Sequence, residues 1–152
     1  MGPREQLVFG WAWILMGLLS GVALGLGFHK AGFMGGYDGW RRRLARLGHI
    51  AFFGTGLLNL FAALTWRTEG LPDVIAAPAA TALIIGAVAM PTVCFLSAWR
   101  QPFRHLFAIP VFALISGVVL MLVALTYPVP NEYGLIDLRV PWFPLIYPGV
   151  LP

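Results

Sequence analysis

Three histidines, His29, His49 and His105, stand in an otherwise apolar chain, and with Asn59 they are the side chains best suited to hold a cofactor. Imidazole is a common axial ligand of haem iron, and two facing each other in a helical bundle would hold a haem b. Asn59 presents an amide to a quinone or pigment carbonyl. Just before His49 come Arg41, Arg42, Arg43 and Arg46. Their guanidiniums would neutralise haem propionates or grip lipid headgroups.

Each group also has a plainer reading. Histidines near a membrane surface sit comfortably beside Arg, Lys and Trp, and basic residues next to a span fix its orientation. An asparagine inside an apolar helix commonly joins two helices, for about 0.6–2 kcal/mol; the expected partners are Ser116 or Thr92. No histidine pair has the i, i+4 spacing of a helical ligand motif, so no metal site is assigned. At about 100° per residue, His49 lies about 200° round the helix from Ala51. It is therefore expected to face away from the stripe of Ala51, Thr55, Asn59 and Ala63, together with Phe53, Gly56 and Leu60.

Catalytic groups are scarce. No carboxylate falls inside an apolar run, which removes the usual carriers for proton or ion coupling. Neither a phosphate loop, nor a Ser–His–Asp set, nor paired acids can be assembled at one depth. Cys94 is the only cysteine, so no intrachain disulfide is expected. No catalytic residue is assigned, and an enzyme acting alone is not expected.

The elements that must position these residues follow from composition. Hydrophobic residues make up 59% of the 152 and charged residues 11%, against a usual quarter charged. A water-soluble fold this small could not hide so much apolar surface. Four runs, over 7–28, 47–66, 74–99 and 106–127, are each long enough to cross a hydrocarbon layer about 30 Å thick as a helix. The sequence thus predicts an all-α integral membrane protein, with a four-helix transmembrane bundle over 1–127. The first run is read as a retained helix, being too long for a signal core and lacking a cleavage site.

Glycines at 17, 21 and 25, preceded by Gly10, form a groove for close helix packing, and Thr55 with Asn59 supplies a second seam. Trp40 and Leu44, four apart with arginines between them, suggest a short interfacial helix near 40–46. Beyond Tyr127 the prolines 128, 130, 141, 144, 148 and 152 forbid a regular helix. Residues 128–152, rich in aromatics, are expected to form an irregular interfacial tail outside the cytoplasm.

Orientation follows from charge. The connections after the first and third spans hold seven basic residues and one acid, a net +6; the other face holds three basic residues and five acids, a net −2. Basic connections favour the cytoplasm, which places both termini outside a bacterial-type inner membrane. The basic balance therefore concerns lipid, not nucleic acid. The layout resembles the small haem- and quinone-binding membrane anchors of respiratory complexes in architecture alone, with no shared motif. The expectation is a small non-catalytic subunit of a respiratory or photosynthetic electron-transfer complex, partnered by lipid and other membrane subunits. The alternative is a haem b- or quinone-binding redox protein using the histidines.

Overall fold

The structure, a computed structural model, describes residues 1–126. The proline- and aromatic-rich tail expected over 128–152 lies outside the described residues. Among those described, all regular elements are helical, and four helical segments are long and apolar enough to cross a membrane.

Helix α1 runs Pro3–Phe28. Proline at its first position needs no amide partner, and Glu5 accepts a 2.8 Å hydrogen bond from the Gly2 N–H, closing the helix start. Gly35 and Gly36, both at positive φ, carry the chain round into the next helix. Helix α2 spans Trp40–Thr68 without interruption. No separate interfacial helix forms over 40–46. The stretch from Arg41 to Leu47 contains no proline or glycine to break the ladder, so these residues become the first turns of α2.

Helices α2 and α3 (Asp73–Trp99) are joined by a tight turn. Gly70 takes the left-handed conformation at φ 59°, and the Leu71 N–H returns to the Trp66 carbonyl at 3.1 Å. This is the glycine-ended helix stop in which the following apolar side chain folds back on the last turn. Leu71 and Trp66 indeed share the main buried cluster, and the Trp66 indole N–H donates to Asp73 Oδ1 at 3.1 Å. After α3, a 3-10 stretch over Gln101–Phe107 leads into α4, Ala108–Thr126.

The helices pack in chain order: α1 on α2, α2 on α3, α3 on α4, while α1 and α4 share no substantial contact. They form an open row, in which the first and last helices do not close on each other. Burial follows that order, with 44% of the apolar window buried in α2 and in α3, but 11% in α1 and 17% in the segment containing α4.

Small residues allow the close approach. A methyl group at Gly86 would come within 2.6 Å of the Leu114 side chain, and one at Gly117 within 2.7 Å of Leu83. Each helix of the α3–α4 pair thus offers a glycine notch to a leucine of the other. Between α1 and α2, Gly10 and Gly56 face each other nearly backbone to backbone.

Candidate functional site

The most deeply placed polar group joins three helices. Gln6 and Asn59 are fully buried, and Gln6 Nε2 donates to Asn59 Oδ1 at 3.2 Å. Asn59 Nδ2 donates to the Thr55 carbonyl at 2.9 Å and to the Leu83 carbonyl of α3 at 3.5 Å. Aiming its amide nitrogen at those carbonyls turns the Asn59 oxygen toward α1, where Gln6 meets it. Thr55 is buried beside it and closes on the Ala51 carbonyl at 2.6 Å. Gln6 Oε1 has no partner among the described residues.

Asn59 is therefore tied to Gln6 and not to the expected Ser116 or Thr92. Both of those are exposed and return their hydroxyls to their own helices, Ser116 to Phe112 and Thr92 to Val88, each at 2.7 Å. Ser116 also lies on α4, beyond α3 from Asn59. Gln6 stands one residue before the first uncharged run, and that adjacency was the only signal of its role in the sequence.

His49 lies inside the row, not away from it. Because α2 is sandwiched between α1 and α3, the face opposite its small-residue stripe is also packed. The imidazole lies against Gly21, where a methyl group would come within 2.7 Å of Cε1. Phe53 meets the ring edge-on at 5.3 Å. Ser20 Oγ donates to the Gly17 carbonyl at 2.8 Å and lies 2.9 Å from His49 Nδ1. Either the hydroxyl or the ring can supply the proton between Oγ and Nδ1, according to the tautomer.

The other two histidines are not gathered round it. His29 is exposed at the end of α1, and His105 is exposed in the 3-10 stretch before α4. Among the described residues, no group of three or more His, Cys, Asp or Glu could hold a metal ion.

The glycine groove of α1 is real but shifted. Gly10, Gly17 and Gly21 face Leu60, Phe52–Phe53 and His49 of α2, while Gly25 meets nothing within 4 Å. At about 100° per residue, Gly17 and Gly21 stay within about 20° of Gly10, but Gly25 has rotated about 60° off the seam.

The arginine run divides in two. Arg42 is buried, its guanidinium 4.2 Å from the Phe28 ring centre and 5.6 Å from that of Tyr37. It donates to the Phe28 carbonyl at 3.5 Å, at the negative end of α1. Arg46 lies 5.1 Å from the Tyr37 ring and donates to the Tyr37 carbonyl at 3.4 Å. Arg41 and Arg43 are exposed. Two of the four thus clamp the α1–α2 connection, and two remain free to reach outward.

No protein family model, curated protein or solved structure matches this chain.

Proposed function

We propose that the chain is a small, non-catalytic integral membrane subunit of a larger respiratory or photosynthetic electron-transfer complex. The observation that carries the reading is the open row. Its outer helices leave most of their apolar surface uncovered, including Val8, Trp11, Leu15, Leu19 and Val22 on α1. Patches of this size mark a lipid or protein neighbour. Both basic connections lie on the cytoplasmic side of a bacterial-type inner membrane, and both termini lie outside. Helix α2, with 29 residues, is about 44 Å long, against a hydrocarbon layer of about 30 Å. Its first turns, Trp40 to Arg46, therefore stand in the headgroup layer, with Arg41 and Arg43 against lipid phosphates.

Native-gel migration from gently solubilised membranes tests this. The chain, 16.6 kDa alone, should run within a much larger assembly, and a solitary monomer would defeat the reading.

A second reading draws on His49, the one histidine held between two helices, with Ser20 Oγ 2.9 Å from its Nδ1. In it, His49 holds haem b with an axial partner from a neighbouring subunit, and Asn59 serves packing alone. An optical spectrum of the purified assembly decides: a Soret band lost in His49→Leu supports it, and a colourless preparation rejects it.

A further inference from the structure

A cavity of about 270 Å³ opens where the start of α2, the end of α3 and the 3-10 stretch meet, lined by Trp40, Leu44, Ser97, Gln101, Arg104 and Phe107. Ser97 is fully buried, yet its hydroxyl has no partner among the described residues. That is unusual in this chain. Ser20, Thr55, Thr81, Thr92, Ser116 and Thr126 all return their hydroxyls to a carbonyl three or four residues back. A buried hydroxyl left unpaired costs about 1–3 kcal/mol, so an acceptor brought from outside would be favoured here.

The cavity's chemistry defines that acceptor. Round a mostly apolar wall, the polar side chains can all donate: the buried Ser97 hydroxyl and, at the exposed rim, the Gln101 amide, the Trp40 indole and the Arg104 guanidinium. No carboxylate is among them, and Arg104 has no ion-pair partner among the described residues. Leu44 and Phe107 add apolar wall. Donors and one cation beside apolar surface fit an acceptor-rich anion carrying a hydrocarbon tail. We propose that this cavity holds the headgroup of an anionic phospholipid, its phosphate toward Arg104 and Gln101 and an ester or phosphate oxygen on Ser97, with the acyl chains running along the uncovered helix faces. A neutral quinone ring would satisfy Ser97 but gain nothing from the Arg104 charge at the rim. The inference rests on the membrane location proposed above, but not on any partner subunit.

The test uses the full chain, purified in neutral detergent, stripped of lipid and titrated with phosphatidylglycerol or phosphatidylcholine under native mass spectrometry. One phosphatidylglycerol should be retained per chain, with phosphatidylcholine at least tenfold weaker. Arg104→Gln should weaken retention about tenfold and Ser97→Ala about three- to tenfold, the range expected for a charged and a neutral hydrogen bond. The charge-matched Arg67→Gln, at the opposite end of α2, should stay within twofold. Stripped Ser97→Ala should melt no lower than the parent, having lost an unpaired group, while its melting temperature should rise less with added phosphatidylglycerol. Equal retention of both lipids, unchanged retention in Ser97→Ala and Arg104→Gln, preferential binding of a decyl-substituted benzoquinone, or equal binding of glycerol phosphate would each overturn the proposal. A chain that stayed dissolved without detergent would instead remove the membrane location itself, whereas a monomer on the native gel would leave the lipid site standing.

Discussion

Gln6 and Asn59, 53 residues apart in sequence, meet in a buried 3.2 Å hydrogen bond that fastens the first helix to the second. Through its amide nitrogen Asn59 also reaches the Leu83 carbonyl, so one side chain ties three of the four helices. In apolar surroundings the Gln6 amide supplies the donor that the Asn59 oxygen needs where no water is at hand, while Gln6 Oε1 itself has no partner among the described residues.

Asn59→Leu should therefore weaken the α1–α2–α3 contact, lowering stability in detergent by about 1–2 kcal/mol. Gln6→Leu should cost less, because it also removes the unpartnered Gln6 Oε1. A double-mutant cycle by detergent-resistant unfolding should give a coupling of about 0.6–1.7 kcal/mol. Additive effects would show that the pair does not interact. Full stability of Asn59→Leu together with loss of a bound quinone or pigment would make Asn59 a ligand site.

The glycines separate by position along the seams. Gly117→Ala should destabilise by about 1–3 kcal/mol, because its methyl would meet the Leu83 backbone nitrogen at 3.0 Å as well as the side chain. Gly25→Ala meets nothing within 4 Å and should be neutral or up to about 1 kcal/mol stabilising, from helix propensity alone. Thermal unfolding of both variants checks the sign. Destabilisation by Gly25→Ala would indicate a partner helix seated on that face.

This contrast marks what the sequence reveals. Hydrophobic run length locates four helices because it depends on local composition. Glycine spacing shows that α1 has a packing groove, but not which glycines reach the partner, since that depends on where α2 crosses. The polar stripe of α2 is legible, whereas the packing of half-buried His49 against α1 is not. A helix in the middle of a row is packed on two sides, and its own periodicity reports only the more strongly patterned one. Ser97 carries no local pattern, and Gln6 only its place beside the first uncharged run; their roles arise from the elements packed over them.

Arg42 and Arg43 are neighbours with different roles. Arg42→Gln should loosen the α1–α2 connection, since it gives up the Phe28 carbonyl and the stacking on Phe28 and Tyr37. A loss of about 1 kcal/mol is expected, together with faster protease cleavage between residues 29 and 39. Arg43→Gln should leave stability unchanged and reduce only the preference of the reconstituted chain for anionic lipid. Equal cleavage rates for the two variants would contradict the division.

His49 and Gly21 offer the sharpest coupling in the molecule. The imidazole fills the notch that Gly21 leaves in α1, with Cε1 2.7 Å from where a methyl would stand. Gly21→Ala should push the ring out, break its contact with Ser20 and destabilise by about 1–3 kcal/mol. His49→Ala should cost about 2 kcal/mol by leaving a void. Once the ring is gone the added methyl has room, so the double variant should be little worse than His49→Ala alone. Unfolding measurements on the three variants give that interaction directly. If Gly21→Ala is as damaging without the imidazole as with it, the ring is not what fills the notch. The α1–α2 seam would then depend on the backbone approach at Gly10 and Gly56 instead.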